Sequence, residues 1–199
     1  SGKGSTREIE ISIGFVSLIS LLSDMMVFQD LPNAPLKADD YINYVTEIAL
    51  SNFQSETSRQ HRAVSFPRFL GLSLTEEHRL YSDPTIHSKR VLMYVETLAI
   101  VLAHELAHHF YNHVDSNATL ESKRANEAAA DHFAVDLVIK SGHQPFLGIF
   151  PFWFFVKLEE IRRVAPHQRD HPDPACRLGE MVTSGIQVAD CEIQCASSA

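Results

Sequence analysis

One long helical pattern constrains this chain more than any other feature. From Lys89 to about Asn112 no proline or glycine interrupts the sequence, and the apolar residues advance three or four positions at a time: Leu92, Val95, Ala99, Leu102, Leu106 and Phe110. That spacing places these side chains along one face of a helix of about six turns. A helix of that length needs several partners, so we expect the remaining elements to pack around it.

The same helix carries an H-E-x-x-H pattern between His104 and His108. Positions four apart share a helical face, so both imidazoles can point at one metal ion. Glu105 lies beside them, where its carboxylate can reach a water bound to that ion. A catalytic zinc needs a third protein ligand and an open fourth position.

The next helical pattern supplies a third ligand. It runs from about Glu121 to Lys140 and ends before Gly142, which suits the left-handed position after a helix. Glu127 comes 19 residues after His108, and its helix can fold back antiparallel to bring the carboxylate to the metal. Asp131, one turn further on, can accept a hydrogen bond from a ligand imidazole.

Together these residues predict a zinc site. Its ligands are His104, His108 and Glu127, and Glu105 activates a zinc-bound water. The competing interpretation is a surface helix whose histidines are merely solvated. The apolar residues around the motif argue against it, because burying two histidines and a glutamate without a metal or partners is costly.

A second pair of histidines, His109 and His113, is also four residues apart. No carboxylate occupies the general-base position between them. We therefore interpret His109 as facing outward and His113 as a residue of the helix end or pocket rim.

The N-terminal half of the chain predicts short strands among helices. Apolar and polar residues alternate from Ile9 to Phe15, as in a half-buried strand, before helical spacing takes over. Asp39 or Asp40 is expected to cap the following helix. Further short strands are expected around residues 64–66 or 70–74.

The C-terminal half predicts an aromatic helix from about Pro145 to Val164 and a last helix near Ala175 to Thr183. Strands being few, the predicted class is α+β and mainly helical: a zincin-like domain with a small sheet and an active-site helix. We expect a single domain over residues 1–199, with residues 1–6 a tag remnant or trimmed terminus.

Charge and hydropathy exclude two classes of partner. The net charge is −8 and the pI about 5.7, and no basic stripe is present, so nucleic acid is not expected as a partner. Residues 11–23 and 145–156 are apolar but shorter than the roughly 20 residues that a bilayer requires. We therefore expect no transmembrane segment.

The three cysteines do not resemble a disulfide framework. Cys176 stands alone, while Cys191 and Cys195 are four residues apart. This usage favours a reducing compartment, hence the cytoplasm. A bridge between Cys191 and Cys195, or a regulatory thiol, stays open as an alternative.

Three motifs in a fixed order give the chain a family resemblance. H-E-x-x-H at His104 to His108 is followed by E-x-x-x-D at Glu127 to Asp131, and then by H-P-x-x-x-x-R at His171 to Arg177. The chain thereby resembles the gluzincin peptidases, and among them the CAAX-prenyl-protease-like clan and the phage-exclusion peptidases of the Lit type. The segment from Glu8 to Phe28 looks like the Lit-type group in particular. The resemblance covers about residues 90–180.

The resemblance implies further roles. His171 would reach into the cleft and stabilise the oxyanion, and Arg177 would brace the site by pairing with a carboxylate. The chain departs from the prenyl proteases in lacking their membrane helices. Cys176, inside the last motif, has no role that we can derive.

The predicted function is that of a zinc-dependent metalloendopeptidase that hydrolyses peptide bonds in a protein substrate. Regulated or phage-defence proteolysis, with an activating or inhibiting partner, fits this sequence, and so does general turnover of proteins. The alternative is a catalytically inactive zinc-binding interaction module, which would keep the metal ligands without needing Glu105.

Overall fold

The computed structural model describes residue 9 and residues 11–54, 62–113 and 119–149, with helical pieces at 154–155, 157–158, 176–177, 179 and 181. In these parts of the chain the continuous helices are α1 (Ile13–Val27), α2 (Ala34–Gln54), α3 (Phe66–Phe69), α4 (Leu74–Tyr81), α5 (Pro84–Phe110), α6 (Leu120–Lys140) and α7 (Pro145–Gly148). None of the described residues lies in a strand. The predicted α+β class with a zincin-like small sheet is therefore wrong.

The strand predicted from Ile9 to Phe15 is replaced by the start of a helix. Ser12 caps α1, because its hydroxyl oxygen accepts a hydrogen bond from the Phe15 N–H at 3.1 Å. Ile13 is 85% exposed instead of buried in a sheet. Four alternating residues are too few to outweigh a cap that satisfies one of the free N–H groups of a long apolar helix.

The strands predicted around residues 64–66 and 70–74 are also absent. The single-turn helix α3 begins at Phe66, and α4 begins at Leu74. Ser73 and Glu76 form a capping box before α4: the Glu76 N–H donates to the Ser73 hydroxyl at 3.3 Å, and the Ser73 N–H donates to Glu76 Oε2 at 2.8 Å. The reciprocal bonds favour a helix at a segment whose apolar content alone suggested a strand.

Asp39 and Asp40 do not cap α2 but lie inside it. The helix begins at Ala34, directly after Asn33, whose φ of 66° reverses the chain. Asn tolerates this left-handed conformation better than most residues. Asp40 instead forms an exposed ion pair with Lys37, in which Asp40 Oδ2 lies 2.7 Å from Lys37 Nζ.

The long helix and its successor are confirmed. Helix α5 begins at Pro84, five residues before the predicted start, because Asp83 accepts hydrogen bonds from two N–H groups of the first turn. Proline suits the first helical position, since it lacks an N–H that would need a partner. After α6, Gly142 has a φ of 80°, as expected for a residue that ends a helix.

Two buried clusters form the core. The larger one joins α1 and α2 to an aromatic residue of α3 and another after α7, and its buried members are Leu18, Leu22, Met25, Phe28, Ala34, Ala38, Tyr41, Ile42, Val45, Phe66 and Phe154. The smaller one fills the contact between α5 and α6 with Ile100, Ala103, Ala134, Val135, Val138 and Met181. Burial of these side chains is the main term that stabilises the fold.

Helix α5 lies at the centre of the described fold and contacts α1, α4, α6 and α7. Near its start, Arg90 forms a short ion pair with the buried carboxylate of Asp24 on α1. The Tyr81 hydroxyl donates to the other oxygen of Asp24 at 2.7 Å. Polar and apolar contacts thus fix the position of α5 before it reaches the two histidines of its motif.

Length and composition alone would allow α5 to cross a membrane, and it is the one described helix of which this is true. The core helix of a soluble protein can have the same length and composition. The expected absence of a transmembrane segment stays a prediction.

The aromatic segment and the last predicted helix are described in part. Helix α7 ends at Gly148, and Phe154, Phe155, Lys157 and Leu158 are helical again. Later, Cys176, Arg177, Gly179 and Met181 are helical. Cys176 is disulfide-bonded, which the interpretation of the three cysteines as free of a disulfide framework does not predict. Cys191 and Cys195 lie outside the described residues.

Candidate metal centre

The site lies where the second half of α5 packs against α6. Small side chains allow the two helices to approach closely, and four of these are buried: Ala103, Ala107, Ala130 and Ala134. His104 and His108 project from α5, one helical turn apart, toward Glu127 on α6. Their side chains are mostly buried, with exposed fractions of 13%, 21% and 12%.

The ligand groups of the three residues form a small triangle, in which each imidazole faces a different oxygen of Glu127. Nε2 of His108 lies 3.0 Å from Nε2 of His104. Oε2 of Glu127 lies 3.4 Å from Nε2 of His104, and Oε1 of Glu127 lies 3.4 Å from Nε2 of His108. In a tetrahedral zinc site with bonds of about 2.0–2.1 Å, ligand atoms lie about 3.3–3.4 Å apart. The donor types and their spacing therefore fit a zinc ion.

Asp131 contacts the Nδ1 side of the His104 ring, whereas Glu127 faces Nε2. Oδ1 of Asp131 is 2.9 Å from Nδ1 of His104. Burial lowers the pKa of His104, but Asp131 and Glu127 outweigh burial and raise it to about 9.

Arg177 contacts two of the carboxylates of α6, those of Asp131 and Glu127. Its Nε and NH2 groups donate to the two oxygens of Asp131 at 2.7 and 2.8 Å. The same NH2 group lies 3.2 Å from Oε2 of Glu127. Burial raises the pKa of Asp131, but Arg177 and then His104 outweigh it and hold that pKa below its usual range. Arg177 thus keeps Asp131 ionised beside the ligands.

Glu105 lies next to His104 in the sequence but on the exposed side of α5. Among the described residues no hydrogen bond or ion pair to its carboxylate is found. The carboxylate is consequently available to a water or a substrate at the edge of the ligand triangle. Its negative charge raises the pKa of His108, although burial and the neighbouring His104 lower that pKa more.

His108 has a second histidine beside it. Its Nδ1 lies 3.1 Å from Nδ1 of His113. The sequence places His113 at the helix end or pocket rim but does not predict its contact with a ligand. The signal in the sequence was Asn112, a residue that tolerates the left-handed conformation in which a chain turns back on the end of a helix.

The structure brings together five of the seven predicted site residues in direct contact: His104, His108, Glu127, Asp131 and Arg177. Glu105 lies beside them on the same helix. His171 is outside the described residues. The arrangement can hold a divalent cation with one carboxylate next to it.

The fold and the site define an all-helical protein, in its described parts, with a candidate metal centre between two packed helices. A model of the peptidase U49 family matches residues 37–194, which include all the predicted site residues. The chain therefore belongs to the peptidase U49 family, and this membership makes it a peptidase. No curated protein and no solved structure matches the chain.

Proposed function

We propose that this peptidase is a zinc-dependent metalloendopeptidase that hydrolyses peptide bonds in a protein substrate. His104, His108 and Glu127 would hold the metal, and Glu105 would act as general base and acid. The observation that carries the proposal is the ligand triangle, in which the two Nε2 atoms lie 3.0 Å apart and each lies 3.4 Å from a different oxygen of Glu127. A zinc ion there would polarise the scissile carbonyl and lower the pKa of a water toward about 7.

Glu105 accepts the proton of the attacking water and returns it to the leaving amine. Its position supports this role in two ways. Glu105 follows His104 directly, so its side chain leaves the helix next to the ligand triangle. It is also exposed, so a substrate can reach its carboxylate. A buried, paired carboxylate in the same place would have neither proton access nor room for a substrate.

Asp131 and Arg177 position the ligands without touching the substrate. Asp131 holds the ring of His104 from behind at 2.9 Å, and Arg177 holds Asp131 through two hydrogen bonds. Partners of this kind fix the orientation of a ligand imidazole and increase its basicity. The positive charge of Arg177 also offsets part of the repulsion between Glu127 and Asp131.

The finer family assignment belongs to the proposal as well. The motifs at His104 to His108, Glu127 to Asp131 and His171 to Arg177 resemble those of the gluzincins, of the CAAX-prenyl-protease-like clan and of the Lit-type peptidases. The contact of Arg177 with Asp131 and Glu127 supports the part of this resemblance that concerns Arg177. Stabilisation of the oxyanion by His171 rests on the resemblance alone.

A substrate that reaches Glu105 must lie against the exposed face of α5. Leu102 and Leu106 flank Glu105 on that face and are 39% and 45% exposed. Phe110 follows one turn later and is 70% exposed. We propose that these side chains contact apolar residues of an extended polypeptide near the scissile bond.

The test combines metal content with cleavage. Zinc would be measured in the purified wild type and in His104→Ala and Glu127→Ala, with His87→Ala, an exposed histidine of α5, as control. Cleavage of an unstructured polypeptide would be measured for wild type and Glu105→Gln, with Glu121→Gln, an exposed glutamate of α6, as control.

We expect about one zinc per chain in the wild type and both controls, and none in the two ligand variants. Glu105→Gln should keep its zinc and lose cleavage by at least about 100-fold. Near-normal cleavage by Glu105→Gln would refute the role of Glu105. A wild type that binds no zinc would refute the metal centre itself.

The alternative, an inactive zinc-binding module, differs from the proposed peptidase in the cleavage result alone. It would bind zinc through the same three ligands, and no polypeptide would be cleaved by wild type or by Glu105→Gln. The family match favours a peptidase over this alternative.

A further inference from the structure

We infer that His113 is a positioning residue of the metal centre: its Nδ1 accepts a hydrogen bond from Nδ1 of His108 and so directs Nε2 of His108 toward the metal. The inference rests on the proposed function, because it assigns a partner to one of the proposed ligands. The two Nδ1 atoms are 3.1 Å apart, within hydrogen-bond distance.

The chemistry of imidazole determines which ring donates. A neutral imidazole carries one N–H, and the other nitrogen has a free lone pair. If Nε2 of His108 binds a metal, its proton must be on Nδ1, which is then a donor. Nδ1 of His113 must in turn be the acceptor, with the proton of His113 on its Nε2. One contact therefore fixes the tautomer of both rings.

The backbone at the end of α5 brings His113 to this place. Asn112 has a φ of 59°, so the chain turns back after Tyr111. The Asn112 N–H then donates to the carbonyl of His109 at 3.3 Å, and the His113 N–H donates to the carbonyl of His108 at 2.9 Å. This pair of bonds is the Schellman arrangement, which satisfies carbonyls that a helix end leaves free. It places residue 113 beside residue 108.

Ring contacts hold the imidazole of His113 in its orientation. It stacks on Tyr111 with a centroid distance of 5.4 Å and an interplanar angle of 24°. It meets His108 edge to face, at 5.2 Å and 70°. Since both the backbone and the ring are held, the acceptor nitrogen is in place without a separate ordering step.

The two histidine ligands now show the same arrangement. Each directs Nε2 into the triangle with Glu127 and has a group at Nδ1 on the opposite side: Asp131 for His104 and His113 for His108. The partners differ in charge. Asp131 is an ionised carboxylate, whereas a neutral His113 adds no negative charge to a site that already contains Glu127, Asp131 and Glu105.

Two substitutions separate the hydrogen bond from simple packing. His113→Asn keeps an acceptor close to the position of Nδ1 but loses the aromatic ring. His113→Phe keeps a ring that can stack on Tyr111 but loses the acceptor. The measurement is zinc affinity by competition with a chromophoric chelator, together with the visible absorption spectrum of the cobalt-substituted proteins, which reports the geometry and donors of the site.

We expect His113→Phe to bind zinc about 10- to 100-fold more weakly than wild type. His113→Asn should stay within about 3-fold of wild type, since it restores the acceptor that orients His108. Both variants should keep four-coordinate cobalt spectra. Metal-free samples should melt at temperatures close to that of the metal-free wild type.

The reverse order of affinities, with Phe tolerated and Asn impaired, would overturn the inference and assign His113 a packing role. Equal zinc affinity in all three proteins would overturn it too. If the cobalt spectra of both variants show a changed set of donor atoms, the inference is wrong and His113 itself binds the metal. If the wild type binds no zinc, the proposed function fails, and the role of His113 fails with it. If the wild type binds zinc and the variants behave in one of the other ways, the role of His113 alone fails.

Discussion

The positive charge of Arg177 offsets the negative charges of two buried carboxylates on α6. Asp131 is 3% exposed and Glu127 is 9% exposed, and they lie one helical turn apart on the same face. Ionised groups are seldom buried without a partner of opposite charge. Because Arg177 contacts both, its removal would leave the imidazolium of His104 as the one positive charge that the described residues show in contact with these two carboxylates in the metal-free protein.

We predict that Arg177→Ala destabilises the metal-free protein by about 3–5 kcal/mol. Lys37→Ala is the control, since it removes an ion pair whose two side chains are 52% and 55% exposed. That exposed pair should contribute about 0–1 kcal/mol. Urea denaturation in the presence of a chelator measures both free energies of unfolding, and equal effects of the two substitutions would contradict the assigned role of Arg177.

The raised pKa of His104 predicts how the stability of the metal-free protein depends on pH. An ordinary unfolded histidine has a pKa near 6.5, whereas the folded value is about 9. Between these values the folded state binds the extra proton, so stability falls as pH rises. The stabilisation is complete below about pH 6.5 and lost above about pH 9, with a total of up to about 3 kcal/mol.

Urea denaturation of chelator-treated protein from pH 6 to 9.5 tests this slope. His104→Asn is the control, because it cannot bind the proton and should show a smaller decline over the same range. Identical slopes in the two proteins would mean that Asp131 and Glu127 do not hold a proton on His104.

At the level of helices, the close contact between α5 and α7 depends on Gly148. A Cβ atom at this position would lie 2.5 Å from the carbonyl oxygen of Glu96 and 3.0 Å from Cγ2 of Ile100. The Glu96 carboxylate in turn accepts a hydrogen bond from the Gln144 N–H at 2.7 Å, just before α7 begins. The two contacts hold α7 against the middle of α5.

Gly148→Ala should therefore destabilise the protein by about 1–3 kcal/mol, because α7 must shift away from α5. Gly14→Ala is the matched control: its Cβ would meet only the Ser12 hydroxyl oxygen, at 3.9 Å. Alanine is the better helix former, so Gly14→Ala should leave stability unchanged or raise it slightly. Thermal unfolding compares the two variants, and an unchanged Gly148→Ala protein would show that α7 is not packed this closely.

The exposed face of α5 gives a prediction for substrate binding. Leu102→Ser and Leu106→Ser should each lower kcat/KM for an unstructured polypeptide by about 10-fold, since each removes an apolar contact worth about 1–2 kcal/mol. Leu36→Ser is the control, since Leu36 is 81% exposed on α2, outside the site. If Leu36→Ser lowers kcat/KM by the same factor, the losses at Leu102 and Leu106 come from replacing any exposed leucine with serine and not from a lost substrate contact.

At the level of the whole molecule, the metal would link the two helices of the smaller core cluster. His104 and His108 come from α5, while Glu127 comes from α6, so a bound ion resists their separation. A ligand at about 1,000 times its Kd stabilises the folded state by about 4 kcal/mol. For a chain of this size we predict a rise in Tm of about 8–16 °C on addition of zinc to the metal-free protein.

Calorimetry of chelator-treated protein with and without added zinc measures this rise. Glu127→Ala should melt at the same temperature in both conditions. If zinc raises the Tm of Glu127→Ala as much as that of wild type, the ion binds somewhere other than between α5 and α6.

The features that could be predicted correctly from the sequence are those that depend on local interactions. Helix α5, the spacing of His104 and His108 on one of its faces and the helix end at Gly142 follow from hydrogen bonds and side-chain spacing within a few residues. Glu127 and Asp131 were predicted because four-residue spacing fixes their relation to each other on α6. Such relations do not change when the rest of the chain is arranged differently.

How distant segments of the chain meet follows from the three-dimensional packing and could not be predicted from the sequence. The apolar alternation from Ile9 to Phe15 is compatible with a strand, and the packing of α1 on α5 adds to the Ser12 cap in stabilising a helix from Ile13 onward. The distances between Glu127 and the two imidazoles depend on buried alanines at a contact between two helices. These outcomes are set by long-range packing, which no local pattern in a sequence specifies.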